Sequence, residues 1–247
     1  MRRNLKKLNS RISQISDLLL AALLPYHSTI SEKQARKKLS LLIKSSLKFI
    51  YASDKRLEEH LVSSLATIQK QIIQDAQAVL DSDPAASDLD LVLLCYPGIF
   101  AMTHYRFAHL LTNHQIPYLP RLLTEYAHRQ TGIDIHPNAK IGSHFAIDHG
   151  SGIVIGETSV IGNHVKIYQG VTLGGIVVKR ALKGAKRHPT IEDNVTIYSN
   201  ASILGGDTVV GRDSIIGGNV CLTKSVPANA VVASVKKIII KKRGGES

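Results

Sequence analysis

From Arg2 to about Gln130, apolar residues recur three and four positions apart, as in SEKQARKKLSLLIKSSLKFIYAS and HLVSSLATIQKQIIQDAQAVLDSD. This spacing predicts amphipathic helices. Ser31 and Gln34 have the spacing of a capping box. In DSDP, residues 81–84, Pro84 disfavours helical geometry at Asp83 and ends one helix there. Two more helices are expected through IFAMTHYRFAHLLTNH and LPRLLTEYAHRQ, and Thr131 with Gly132 mark a change of regime. Beyond them the period is six. Every sixth residue gives Ile135, Ile141 and Ile147, then, after a two-residue insertion, Ile155, Ile161, Ile167 and Leu173. A loop later the series resumes with Ile191, Ile197 and Ile203, and one extra residue precedes Val210, Ile216, Leu222 and Ala228.

A period of six is neither helical nor alternating. It fits three short sides per coil of a parallel β-helix, in which stacked coils bury a column of aliphatic side chains. Gly142, Gly156, Gly162, Gly211 and Gly217 each directly follow an inward residue, where a tight corner is needed. The segment from Gly174 to Pro189 breaks the period and is expected to leave the coil as a loop, the kind of place where function concentrates. The expected fold class is α+β: helices over 1–130, a parallel β-helix over 131–235 and a basic tail over 236–247.

Composition narrows the functional classes. The chain has 247 residues, 44% hydrophobic and 20% charged, so it can bury a substantial core. Cys95 and Cys221 are far apart and outside any metal-ligand spacing, which argues against a disulfide framework and for a reducing cytoplasm. The basic start MRRNLKK precedes an apolar run, Leu18 to Leu24, but Asp17 interrupts the approach and no small-residue cleavage site follows. Neither export nor a membrane span is expected. The net charge of +12 gathers in the first fifty residues, in KRALKGAKR (Lys179 to Arg187) and in KKIIIKKR (Lys236 to Arg243). Basic and aromatic residues are not interleaved, so nucleic acid is not an expected partner.

The candidate chemistry is carried by a few polar residues. His144 and His164 sit at variable repeat positions and read as surface, and His136 before Pro137 reads as a turn residue. Asp134 and His149 are fifteen positions apart, near one coil, so stacking would bring them to neighbouring levels of one face. A carboxylate that orients an imidazole makes a general base able to deprotonate an alcohol. Two other readings stay open. A zinc site would draw on His136, His149, His164 and His188, although no pair has close ligand spacing. A non-catalytic β-helix scaffold would leave all the histidines incidental.

At DIHPNAKIG, DHGSGIVIGET, VTLGG and RHPTI the sequence resembles the serine O-acetyltransferases, hexapeptide-repeat acyltransferases, and DSDPA and HYRFAHLL in the helical part extend the resemblance from about Asp81 to Pro227. The resemblance implies a left-handed β-helix. It also implies direct acetyl transfer from acetyl-CoA, a co-substrate with no tightly bound cofactor beside it, to the hydroxyl of L-serine. His149 then corresponds to the base and Asp134 to the carboxylate that orients it. Asp83 and Asp148 correspond to the acids that receive the serine ammonium, and Arg187 with His188 to the pair that holds its carboxylate. Gly175 matches a position where the pantetheine arm passes close to the backbone, and Ser199 falls in the stretch that contacts CoA. Lys179, Arg180, Lys183 and Lys186 carry the sign needed to neutralise its phosphates. A homotrimer, or a hexamer made of two trimers, is implied, with active sites between subunits.

The sequence departs from the family pattern in three places. The loop IVVKRALKGAKRHP is longer and more basic, YSNA at Tyr198 to Ala201 replaces a stretch of small residues, and Ile215 stands where a lysine is often found. The chain ends KKRGGES rather than in isoleucine, so docking onto O-acetylserine sulfhydrylase is doubtful. A second acetyltransferase reading, with a sugar or another small-molecule hydroxyl as acceptor, is disfavoured by acceptor-site residues of both charge signs.

Overall fold

The computed structural model describes residues 2–24, 27, 29–47, 55–176 and 184–235. Seven helices come first among these: α1 (Arg2–Asn9), α2 (Ile12–Leu23), α3 (Glu32–Leu47), α4 (Lys55–Ser82), α5 (Leu89–Cys95), α6 (Pro97–Asn113) and α7 (Leu119–Thr131). The apolar run near the N-terminus is the core of this bundle: Leu19 and Leu23 on α2 are fully buried, against helices α3 and α6. The capping box forms, with Gln34 N–H donating to Ser31 Oγ at 3.3 Å and Ser31 N–H to Gln34 Oε1 at 3.2 Å. Helix α4 stops at Ser82, as Pro84 requires. Helix α5 has no counterpart in the sequence reading. It is short and is started by Asp88, whose Oδ1 accepts the Leu91 N–H at 2.8 Å.

A left-handed parallel β-helix follows. Its first sheet stacks β1 (Asp134–Ile135), β4 (Val154–Ile155), β7 (Thr172–Gly174), β10 (Ser202–Leu204) and β13 (Cys221–Leu222). The second stacks β2 (Lys140–Ile141), β5 (Val160–Ile161), β8 (Thr190–Ile191) and β11 (Val209–Val210). The third stacks β3 (Ala146–Asp148), β6 (Lys166–Tyr168), β9 (Thr196–Ile197), β12 (Ile215–Ile216) and β14 (Val231–Val232). The predicted aliphatic column lies inside, with Ile155, Ile167, Leu173, Ile197 and Ile216 at most 1% exposed.

The six-residue frame slips once. Ala228 is exposed and Val226 takes the inward place, bridging to Val210. Val226 comes only four positions after Leu222, with three residues between them, so the last corner before it is two residues shorter than the frame assumes.

The first coil would expose an unpaired edge, and the segment HYRFAHLL on α6 covers it. Tyr105 donates its hydroxyl to Ala139 O at 2.6 Å, His109 Nδ1 lies 2.8 Å from Pro137 O, and Arg106 Nη2 donates to Gly142 O at 2.8 Å. Arg106 also forms a two-pronged ion pair with the fully buried Asp75 of α4, at 2.6 and 2.7 Å, and Asp75 accepts the Phe145 N–H at 2.9 Å. Breaking a buried pair leaves an uncompensated charge and costs about 3–5 kcal/mol. Arg106→Met should therefore destabilise the protein by about that much in chemical denaturation, and Asp75→Leu combined with Arg106→Met should recover most of the loss.

Candidate active site

The chain passes from the first sheet to the second, then the third, and back, so the prism has three corner columns. The corner after β3 holds His149, Gly150, Ser151 and Gly152 and is lengthened by the two-residue insertion noted in the sequence. His149 adopts φ 58° there, and its side chain is 75% exposed, so the imidazole stands out from the coil.

Two acids meet the same corner. Asp148, at the end of β3, lies with Oδ1 3.7 Å from His149 Nε2 and Oδ2 2.9 Å from Lys166 Nζ. Asp83 arrives from the turn after α4. The Ala85 N–H (2.9 Å), the Tyr96 hydroxyl (2.8 Å) and the positive charge of Lys166 hold its pKa below the usual carboxylate range. The same hydrogen bond to Asp83 pushes the Tyr96 hydroxyl up to about 12. Lys166 ties the two elements together by donating to Ser82 O at 2.8 Å. Burial opposes its charge, but hydrogen bonding to Tyr168 and Asp148 outweighs that and raises its pKa. Sequence reasoning missed Tyr96 and Lys166, because an outward polar residue on a coil and a tyrosine before a proline carry no signal of their own.

Asp134 and His149 do not stack on neighbouring levels. The register sets Asp134 beside Val154. The His149 corner instead folds back under residues 132–134: Gly152 N–H donates to Gly132 O at 2.9 Å, and a Cβ on Gly150 would fall 2.6 Å from Ile133 Cδ1. Asp134 Oδ1 accepts from Arg121 Nη1 of α7 at 3.2 Å, and among the described residues no hydrogen bond joins Asp134 to His149.

A second polar cluster occupies the corner between the first and second sheets. Arg187 pairs through Nη2 with Glu157, while its buried Nη1 has no partner among the described residues. Burial opposes ionisation of Glu157, but the hydrogen bond from Arg187 overcomes it and keeps the pKa low. His188 lies on the backbone of Gly156, where a Cβ would fall 2.1 Å from Cδ2. Burial and the Arg187 charge bring His188 down to about 4. His136, on the same corner, is lowered by burial and by Arg121.

Lys186 is not poised for phosphate. Its Nζ donates to Thr158 O at 2.9 Å, Pro189 O at 3.1 Å and His188 O, so all three donors fasten the loop end. Gly175 follows β7 on this same corner, whereas Ser199 lies on the His149 corner, where Tyr198 stacks on Tyr168 with centroids 4.9 Å apart. Lys179, with Arg180 and Lys183, lies outside the described residues, as does the tail 236–247.

The four histidines weighed as zinc ligands do not converge. His136 and His188 share one corner, His149 stands on another and His164 stacks on His144 at the third. Among the described residues, one group of three metal-capable side chains lies close together, Glu125, His128 and Asp134, with Asp134 and Glu125 both paired to Arg121.

No family model matches the chain. Over 185 residues, 73% of its length, it is 48% identical to the plasmid-encoded serine acetyltransferase of Synechococcus elongatus, of which the match spans 58%. Serine acetyltransferase isoform 3 of Entamoeba histolytica, solved in complex with cysteine, superposes with a TM-score of 0.81 and 32% identity over 98% of this chain and 96% of that one. The chain belongs to the serine acetyltransferase family. A serine acetyltransferase solved in complex with CoA aligns with a TM-score of 0.67 and 33% identity over 92% of this chain and 83% of that one.

Within this family member the glycine of GET has a strict steric role, since any side chain at 156 displaces the His188 ring. A displacement of about 1 Å in a positioning group can cost on the order of 100-fold in rate. Gly156→Ala should lower kcat/KM by roughly that factor with an unchanged circular dichroism spectrum.

Proposed function

We infer that the chain is a serine acetyltransferase that moves the acetyl group of acetyl-CoA to the hydroxyl of L-serine, giving O-acetylserine for cysteine synthesis. In this reading His149 takes the hydroxyl proton as the serine oxygen attacks the thioester carbonyl, and Asp134 steadies the imidazolium. The tetrahedral intermediate then collapses, the C–S bond breaks, and His149 returns the proton to the departing CoA thiolate. No covalent acetyl-enzyme is needed. Asp83 and Asp148 receive the ammonium, Arg187 and His188 hold the carboxylate, and Gly175 and Ser199 line the CoA path.

The observation that supports this reading is the placement of the groups suited to an ammonium and to a carboxylate on two different corners. Asp83, Asp148 and the exposed imidazole share one with Lys166, while Arg187 and the buried His188 share the other with Glu157. A zwitterion needs both signs; a neutral sugar needs neither. The corners are separated by a strand of the first sheet, three residue steps of about 3.3 Å, or roughly 10 Å. That exceeds the reach of one serine, so the acidic corner of one copy must face the cationic corner of another. We therefore assign the active form as a trimer closed through the β-helix, with hexamers as pairs of trimers through the helical region. Among the described residues no helix is long and apolar enough to cross a membrane. Two exposed free thiols, Cys95 and Cys221, suit the reducing cytoplasm.

Thiol release from acetyl-CoA should depend on L-serine, not on N-acetylglucosamine, and should fall by about 100-fold or more in His149→Ala, the range lost with a general base. Arg187→Ala should raise the KM for serine by about 10-fold or more, as expected for a lost charge-assisted hydrogen bond. A folded trimer without serine-dependent release would overturn the reading.

A further inference from the structure

The triplet GET, residues 156–158, is the part of the sequence motif to which the transfer chemistry gives no role. Its three residues all serve the pair Arg187–His188. Gly156 leaves room for the imidazole, and Glu157 holds the guanidinium. Thr158 contacts His188 more closely still. Its backbone N–H donates to His188 Nδ1 at 3.0 Å, and its Oγ1 lies 2.8 Å from the same nitrogen. That Oγ1 also accepts the N–H of Arg187 at 2.9 Å and the N–H of His188 at 3.0 Å.

Counting donors settles where the protons are. A hydroxyl oxygen has two acceptor sites and one proton. Both acceptor sites of Thr158 Oγ1 are taken by backbone N–H groups, so its proton points at His188 Nδ1. That nitrogen therefore faces two donors and must carry a lone pair. We propose that Thr158 is a positioning residue that fixes His188 as a neutral imidazole protonated at Nε2, leaving the ring able only to donate a hydrogen bond. The proposal rests on the reading of Arg187 and His188 as the groups that hold the acceptor's carboxylate.

The surroundings act in the same direction. The charged or titratable groups facing His188 are Arg187 and Lys186 on its own segment, Glu157 on the next coil and His136 on the corner below. Two fixed cations against one carboxylate, together with burial, oppose a second proton on the ring.

Two consequences follow for acceptor recognition. A ring that only donates accepts nothing from an ammonium, so the zwitterion can bind in one orientation only. The ring also cannot compete with His149 for the hydroxyl proton, because its one basic nitrogen is turned away from solvent and already bonded. The arrangement parallels the neutral histidine electrophile of triosephosphate isomerase, where an imidazole rather than an imidazolium polarises the substrate.

The test uses full-length protein labelled with 15N in its histidines, as wild type, Thr158→Val and Thr158→Ser. Long-range proton–nitrogen spectra are recorded between roughly pH 5 and 8, the range in which an ordinary histidine titrates. The wild-type and Thr158→Ser spectra should show His188 protonated at Nε2 alone throughout. Thr158→Val removes one of the two donors on Nδ1 and leaves two backbone N–H groups without an acceptor, while the N–H of residue 158 itself remains, so its His188 should keep Nε2–H as the major form but gain a minor Nδ1-protonated population and a shifted Nδ1 resonance. The KM for L-serine should rise roughly tenfold in Thr158→Val, with a smaller change in kcat, and return in Thr158→Ser. A wild-type His188 protonated at Nδ1, or titrating near the ordinary value of about 6.5, would overturn the proposal. So would a Thr158→Val spectrum and KM indistinguishable from wild type. A fixed Nε2 tautomer in a protein without serine turnover would instead overturn the functional reading and leave the tautomer assignment standing.

Discussion

The ion pair between Asp75 and Arg106 is the joint on which the site depends. Two charges without solvent are tolerated only when nearly every remaining donor and acceptor is used. Asp75 spends its carboxylate on Arg106 and on the Phe145 N–H, and Arg106 spends its remaining reach on Gly142 O. The two helices and the first coil are therefore held in one register, since a slip by any of them would strand a buried charge. Tyr105 and His109 repeat the logic with two carbonyls in the corner that precedes β2. This register carries the end of α4 to the corner where Asp83 meets Asp148 through Lys166.

Much of this was legible from the chain. Repeated isoleucines at a spacing of six leave little choice of architecture, because their period matches no helix and no simple strand. The slip at Val226 was hidden, since Ala228 sits on the regular count and is itself small and apolar. The stacking expected of Asp134 and His149 rests on a count of fifteen, but the register sets Asp134 beside Val154, and it is a corner insertion that brings the segments carrying the two residues together. Lys186 shows a different limit. Its sign could be read from the sequence, but the three carbonyls that capture it could not, because they converge only once the loop folds back. Lys166 and Tyr96 were invisible for the same reason, being polar residues whose meaning comes from an acid delivered by another element.

The separation of Asp83 and Asp148 from Arg187 and His188 by one side of the prism bears on what the solitary chain can do. In the proposed reading each half of the acceptor site is well formed by itself, with its hydrogen bonds largely internal, yet neither half alone would hold both ends of a zwitterion. The basic loop end is fastened by Lys186 and the acidic corner by Lys166, so each corner is held in place within the single chain. The proposed trimer would then bring two rigid surfaces together rather than mould them.

Asp83 belongs to a turn after a helix, while the proposed base, its orienting acid and the CoA path all belong to the coil. In the proposed reading one acceptor contact, to the ammonium, is thus encoded outside the coil, while Asp148, Arg187 and His188 share the coil with the acetyl chemistry. A descendant could change how it meets that end of an acceptor by rewriting a few residues around the turn, with the coil and its donor untouched. Such a layout lets one solenoid keep its chemistry while a neighbouring helix end trims what it accepts.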